Sequence, residues 1–206
     1  LNSRHTDQHL TQVLNELQSE PSSVEFFDRW DNRAVNARIK SAREVSLLAT
    51  SSFEFINENS DQLKALVQRG GLLRCILVDP EGQALTLATD RIYGDRQQPE
   101  YLISQISLSL QKLREIAEYA ASPECVQVGL VDYLPASVTT VVDPDSPDGV
   151  MFVTLNGFGH SPWTRPTFVM HRDRDAPWFS YYYETIENLW AWRKLKRVNL
   201  AEGIGA

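Results

Sequence analysis

The chain has 206 residues, of which 42% are hydrophobic and 23% are charged, a balance that is typical of a globular protein with one sizeable core and excludes a disordered or fibrous chain. The net charge of −7 disfavours broad nucleic-acid binding, because a phosphate-rich partner meets a repulsive average field unless Arg and Lys cluster locally. No apolar run is long enough to span a membrane and the first residues lack the order of a secretory signal, so we expect a soluble, cytoplasmic protein.

The first 23 residues differ from the rest of the chain. Apolar residues at three- and four-residue steps predict an amphipathic helix over 7–18, and Pro21 with the two serines after it ends that helix. Because the chain starts with Leu1 rather than Met, we interpret residues 1–23 as a connector helix and linker from a covalently linked upstream domain. Residues 24–206 are then one domain.

From residue 24 onward the pattern alternates between helices and strands. Apolar runs at 44–50 and 72–78 predict buried strands, and helical spacing in 30–42 and 61–69 predicts a helix before each of them. Cys75 and Cys125 lie in or beside such runs and are interpreted as core residues rather than a disulfide. A longer helix is predicted over 99–121, and the polar segment 83–98 is predicted to be a loop on the rim of a site.

The second half of the chain is rich in strands. Alternation and β-branched residues predict strands over 126–131, 137–142 and 150–155, and the acidic turn 143–149 joins the last two into a hairpin. A short strand over 167–170 and an aromatic-rich helix over 178–194 follow. We therefore predict an α/β domain with a mixed, largely parallel central sheet flanked by helices.

The order of these segments resembles one repeat of the phospholipase D superfamily. The similarity is carried by a helix with Ala-Arg before an apolar strand, a Leu-rich helix ending in Arg-Gly-Gly, the run Leu-Arg-Cys-Ile-Leu-Val-Asp-Pro, the hairpin, and a closing helix with Glu-Thr-Ile-Glu-Asn-Leu-Trp. It covers about residues 30–190. The resemblance implies a phospholipase D-like fold and a homodimer in which the hairpin regions of two copies meet at one cleft.

Active members of that superfamily carry His-x-Lys-x4-Asp on the hairpin. The corresponding stretch is ASVTTVVD at 136–143, in which Ala136 stands for the nucleophilic His, Val138 stands for the Lys, and only Asp143 matches. Alanine and valine supply neither a nucleophile nor a cation for phosphoryl transfer. The resemblance therefore implies a catalytically degenerate domain, used for sensing or interaction within a larger regulatory or defence-type protein.

The cleft that the resemblance implies has polar candidates for contacting a ligand. We expect a small phosphate-bearing molecule, such as a nucleotide, with Arg91 or Arg172 as the anion contact; no cofactor and no metal is predicted. The full set of ligand-binding candidates is Ser51, Ser52, Arg91, Asp143, Thr154, Asn156, His171 and Arg172.

Two alternatives remain open from the sequence. The chain is a divergent phosphodiesterase or nuclease if His160, or His171 in its His-Arg-Asp-Arg-Asp run, acts as a nucleophile. It is a structural dimerisation module if the cleft is filled and the aromatic last helix is buried between subunits. The run beginning at His171 also fits a solvated charged loop.

Overall fold

The structure, a computed structural model, describes residues 32–94, 98–160 and 164–200. The predicted connector over 1–23 lies outside these ranges. The helices and strands follow one another in this order: α1 (Asn32–Ile39), β1 (Glu44–Leu48), α2 (Phe53–Glu58), α3 (Ser60–Gln68), β2 (Leu72–Val78), α4 (Ala84–Tyr93), α5 (Pro99–Ala117), β3 (Val126–Val131), β4 (Ser137–Val142), β5 (Val150–Leu155), β6 (Thr167–His171), α6 (Ala176–Ala191) and β7 (Lys196–Arg197).

The strands form one seven-stranded sheet in the order β6-β5-β4-β1-β2-β3-β7. Strand β1 is parallel to β2 and β2 is parallel to β3, whereas β1–β4, β4–β5, β5–β6 and β3–β7 are antiparallel. The predicted α/β architecture with a mixed sheet between helices is confirmed. The prediction of a largely parallel sheet is wrong, because the hairpin pairs beside β1 and extends the sheet with antiparallel strands.

The two faces of the sheet are covered unequally. Alternate residues of a strand point to opposite faces, so Leu47 of β1 packs in the larger cluster with helices α1 to α5 and Leu48 packs on the other face. The second face is covered by α6, whose Phe179 and Ile186 are fully buried. Burying each such side chain contributes about 1.5–3 kcal/mol, so α6 is held mainly by its apolar side.

The segment predicted as a loop over 83–98 contains helix α4. Leu85, Ala88 and Ile92 are buried at helical spacing, but Leu87 is 59% exposed between them. The apolar stripe is therefore narrow, and the polar residues around it hide the helical period. A second helix, α2, follows β1 where no helix was predicted, since its six residues are too few for a periodic pattern.

Most other predicted boundaries lie close to the observed ones. The strands over 72–78, 126–131, 137–142 and 150–155 match β2 to β5. Helix α3 ends at the predicted Gly-Gly pair, where Gly70 has a φ of +79° that side-chain-bearing residues rarely adopt. Cys75 and Cys125 are buried free thiols. Within the described ranges no helix is long and apolar enough to cross a bilayer.

Candidate functional site

A cavity of about 180 Å³ opens at the carboxyl end of β1. Its walls come from the loop after β1, from helices α2, α4 and α5, and from β4 and β5 through side chains such as Thr140 and Thr154. Strand β1 is parallel to β2 on one side and antiparallel to β4 on the other. Crevices at the carboxyl ends of strands, where the topology changes, are the usual ligand sites of open α/β sheets.

The loop between β1 and α2 is fixed by backbone hydrogen bonds. Thr50 O accepts from Val78 N at 3.2 Å, and Ser51 O accepts from the buried Ser109 Oγ of α5 at 2.6 Å. Ser52 has a φ of 64°, in the left-handed region, and its hydroxyl forms no hydrogen bond that caps α2. Strained backbone of this kind is concentrated at binding sites, and here it holds Ser51 and Ser52 on the cavity wall.

Arg165 is the buried cation of the cavity. It is only 5% exposed, and its guanidinium donates to His160 O from Nε (3.3 Å) and Nη2 (3.1 Å) and to Asn156 Oδ1 from Nη1 (2.8 Å). These bonds leave guanidinium N–H groups unused. Burial lowers the pKa of Arg165 below its ordinary value. No carboxylate in the described part of the chain forms an ion pair with it.

Arg91 is close enough to Arg165 to be influenced by its charge, but it is not one of the residues that line the cavity. Its Nη1 donates to Pro135 O at 2.6 Å, and the same carbonyl accepts from Asn156 Nδ2 at 3.2 Å. Its Nε and Nη2 are buried, and no described residue forms a hydrogen bond with them. Burial, and then the positive charge of Arg165, lower the pKa of Arg91. Two neighbouring cations therefore share one buried region, and Asn156 connects them through Pro135 O.

The mouth of the cavity carries aromatic and acidic side chains. Tyr93 and Tyr101 meet edge to face, with ring centroids 5.4 Å apart. Glu54 and Glu58 of α2 are exposed and line the opening. Burial raises the pKa of Tyr93, Tyr101 and Glu54 raise it further, and Arg165 opposes the shift. The phenol group of Tyr93 therefore experiences the fields of both Arg165 and Glu54.

The predicted site residues fall into two groups. Ser51, Ser52 and Thr154 line the cavity. Asn156 accepts a hydrogen bond from Arg165, and Arg91 shares the Pro135 carbonyl with Asn156. The remaining three, Asp143, His171 and Arg172, lie at the opposite end of the sheet. Strand β4 separates the two groups, and its six residues span about 20 Å. The cleft that the sequence analysis assembled is therefore not one site.

The second group, Asp143, His171 and Arg172, forms hydrogen bonds that stabilise the turns in which these residues lie. Asp143 Oδ1 accepts from the backbone N–H groups of Arg43 (2.7 Å) and Glu44 (2.9 Å), on the far side of β4 from β6. Arg172 Nη1 donates to Pro144 O, and the His171 N–H donates to Asp175 Oδ2 at 2.8 Å. The Asp143 carboxylate thus points away from His171. These contacts stabilise turns and do not form an acid–base pair.

The cavity wall offers no nucleophilic imidazole and no ammonium group among the described residues. Val138, which stands for the Lys of the superfamily motif, lines the cavity opposite Thr154 in the strand register. The buried hydroxyl of Thr140 has no hydrogen-bond partner. His160 contributes its carbonyl to Arg165, and its ring packs so closely on Gly157 that an added Cβ would lie 2.7 Å from Cδ2. Covalent phosphoryl chemistry lacks its groups at this cavity.

Sequence reasoning missed the buried charged residue of the site, Arg165. Arg165 follows a Trp-Thr pair in a segment without periodicity, so no pattern indicates its burial. Glu54 and Glu58 offered a signal, because their four-residue spacing places two carboxylates on one helical face. No group of three or more His, Cys, Asp and Glu residues in the described ranges could hold a metal ion.

The chain shares its fold with a protein of known structure. No protein-family model matches the sequence, and no curated protein matches it. Among solved structures the chain is similar to TrmBL2, an archaeal chromatin protein whose structure shows a novel mode of DNA binding, with a TM-score of 0.51 and 15% sequence identity. The match covers 95% of this chain and 62% of that chain, so this chain spans under two thirds of its neighbour. At this identity the likeness shows the fold alone.

This comparison corrects one expectation from the sequence. The net charge of −7 predicts little broad nucleic-acid binding, but a DNA-binding protein shares this fold over nearly the whole chain. That deduction is wrong because electrostatic contact with phosphates depends on where the cations lie and not on the average charge. Residues 193–197, for example, carry four cations in five positions.

Proposed function

We propose that this domain is a catalytically degenerate, phospholipase D-like sensing domain of a larger regulatory protein, and that it binds a small phosphate-bearing molecule in the cavity at the end of β1. The observation that carries the proposal is the buried guanidinium of Arg165 on the cavity wall, which forms no ion pair with any carboxylate in the ranges that the structure describes. A buried cation without a counter-ion is costly, and an oxyanion in the cavity offsets that cost.

The remaining cavity groups suit recognition of a small polar molecule. Hydroxyls of Ser51, Ser52 and Thr154 supply donors and acceptors, and the Tyr93–Tyr101 pair supplies a flat apolar wall. The volume of about 180 Å³ lies below the 300–1,000 Å³ or so of sites for drug-sized ligands. A metabolite-sized ligand therefore fits the space better than a polymer does.

The likeness to a chromatin protein supports a regulatory setting. A domain of this fold occurs in a longer protein that binds DNA, and fold alone does not assign function. A sensing domain joined to a DNA-contacting part would pass ligand occupancy to that part through its connecting segment. Hydrolysis at the cavity is not part of the proposal, since Val138 provides only hydrocarbon there.

The test is native mass spectrometry of the protein purified from its own host, compared with a variant in which the cavity is filled. We expect a retained phosphate-bearing small molecule on the wild-type chain and at least a tenfold loss of occupancy in Ser51→Phe. The matched control is Ser107→Phe, which places the same side chain on the exposed face of α5 and should retain the ligand.

A phosphodiester hydrolysis assay tests whether the domain is catalytically degenerate, and a positive result would contradict the proposal. The wild-type protein is incubated with bis(p-nitrophenyl) phosphate, and we expect no release of p-nitrophenol above the uncatalysed rate. Turnover that disappears in His171→Ala or His160→Ala would establish an enzyme in place of a degenerate domain.

A further inference from the structure

The two ends of the cavity carry unbalanced charges of opposite sign. At the buried end, Arg91 and Arg165 are neighbouring cations without an ion-pair partner in the described ranges. At the exposed end, Glu54 and Glu58 are four residues apart on α2, both face the opening, and neither forms an ion pair with a described residue. Like charges at this helical spacing repel each other and destabilise a helix.

Tyr93 connects the two ends. Its phenol is influenced by the charges of both Arg165 and Glu54, and all three side chains line the same cavity. The space that a ligand would fill therefore runs from a buried positive region to an exposed negative region. A neutral ligand leaves both charge pairs unbalanced, and a simple anion leaves the pair at the mouth unbalanced.

We infer that the ligand is a small zwitterion, with its oxyanion bound by Arg165 at the closed end of the cavity and its ammonium group bound by Glu54 and Glu58 at the mouth. This inference rests on the proposed function and names the ligand class for the same site. The oxyanion is the phosphate group of the proposed ligand, and a carboxylate probe is compared with it because a guanidinium binds either in the same fork geometry.

Asn156 is a positioning residue in this scheme. It accepts from Arg165 through Oδ1 and donates through Nδ2 to Pro135 O, the carbonyl that also accepts from Arg91. The amide thereby fixes the orientation of the Arg165 fork without touching the ligand. A preorganised fork binds an oxyanion with less loss of side-chain entropy than a free one.

The experiment is isothermal titration calorimetry with matched probes. Phosphoethanolamine and β-alanine are the zwitterions, ethyl phosphate and propionate lack the amine, ethanolamine lacks the oxyanion, and glycerol is neutral. We expect both amine-free anions to bind at least tenfold more weakly than their zwitterionic partners, and ethanolamine and glycerol to bind weakest. The phosphate and carboxylate arms identify which oxyanion is preferred.

The variants separate the two ends of the cavity. In Glu54→Gln/Glu58→Gln, the zwitterions should lose at least tenfold in affinity while ethyl phosphate does not weaken. Because these glutamates are exposed, the double variant should fold. Arg165→Lys keeps a cation at the closed end and should weaken both anions and zwitterions. Glu118→Gln, on an exposed position of the segment after α5, is the control.

Two outcomes overturn the inference. Equal binding of ethyl phosphate and phosphoethanolamine, or zwitterion binding unchanged by the double glutamate variant, shows that the mouth does not recognise an ammonium group. Absence of binding by every probe also contradicts the zwitterion class. Neither outcome decides the proposed sensing function. That function is tested separately, by whether the host-purified protein retains a phosphate-bearing molecule and whether Ser51→Phe loses it.

Discussion

Buried charged groups in this protein are balanced in different ways. The buried Asp79 carboxylate pairs with Lys196 Nζ at 2.6 Å, and Arg74 pairs with Glu187 and stacks near Trp190. Among the described residues, the acceptors of Arg165 are all neutral. A paired charge contributes to the fold, whereas an unpaired one costs stability unless a ligand completes it. That difference distinguishes Arg165 from the ion pairs formed by Asp79 and Arg74.

Glu44 gives a pH-dependent prediction at the same scale. Burial raises the pKa of Glu44, the nearby carboxylates of Asp145 and Glu187 add to the shift, and Ser46 and Arg74 oppose it. The folded state therefore holds this proton more tightly than the unfolded state. The resulting stabilisation is fully present below the unfolded pKa of about 4.5 and is lost as the pH rises through the folded pKa.

We expect Glu44→Gln to raise the free energy of unfolding at pH 7 and to leave it nearly unchanged at pH 4, where the wild-type carboxyl is largely protonated. Urea denaturation at both pH values measures the difference. Glu184→Gln, at an exposed position of α6, should show no such pH-dependent gain. A loss of stability at pH 7 in Glu44→Gln would mean that attraction to Arg74 outweighs burial.

Among the elements, the β4–β5 hairpin separates structural contacts from binding contacts. Its turn end holds Asp143, which has a φ of 51° and accepts from two backbone N–H groups at the start of β1. Its opposite end contributes Val138 and Thr154 to the cavity. One element thus anchors the amino end of β1 and forms the cavity at the carboxyl end.

We expect Asp143→Ala to lower the free energy of unfolding by about 1–2 kcal/mol, because two backbone donors lose a charged acceptor. Asp143→Asn should lose less, since asparagine keeps the oxygen and tolerates a positive φ. Urea denaturation measures both, with Asp148→Ala at the exposed turn as the control. If Asp143→Ala instead abolished ligand binding with stability intact, the turn end would belong to the site.

Some helices and strands could be predicted from the sequence and others could not, depending on how clearly their apolar residues repeat. Strands β2 to β5 were predicted because continuous β-branched and aliphatic runs indicate buried strands. Helix α4 was not predicted, because the exposed Leu87 interrupts its stripe. Part of the candidate site was predicted: Ser51, Ser52 and Thr154 were expected in the cleft that the resemblance implies, and they line the cavity. Arg165 was not predicted, because its position depends on a loop that returns to the cavity. Sheet order also remained unpredicted, since pairing of the hairpin with β1 is a long-range choice.

For the whole molecule, charge distribution matters more than its sum. The net charge is −7, yet cations occur together at Arg91 and Arg165 and again over residues 193–197. Exposed carboxylates elsewhere carry the excess negative charge. Self-repulsion among exposed like charges destabilises the compact state, and salt weakens that repulsion. The interaction between Arg91 and Arg165 is screened much less, because the two side chains are largely out of contact with solvent.

This balance predicts that salt stabilises the protein. Raising NaCl from about 0.01 M to 1 M shortens the screening length from roughly 30 Å to 3 Å and weakens repulsion among exposed carboxylates. We expect the Tm to rise with salt, by about 2–4 °C for each kcal/mol by which the free energy of unfolding increases. Differential scanning calorimetry at the two salt concentrations measures this rise. Glu118→Lys/Glu184→Lys makes the net charge four units less negative and should reduce the salt response. Salt screens attraction and repulsion alike, and the larger of the two determines the sign of the change in Tm. A Tm that falls with salt would therefore show that attraction in pairs such as Lys196–Asp79 exceeds the repulsion among exposed carboxylates.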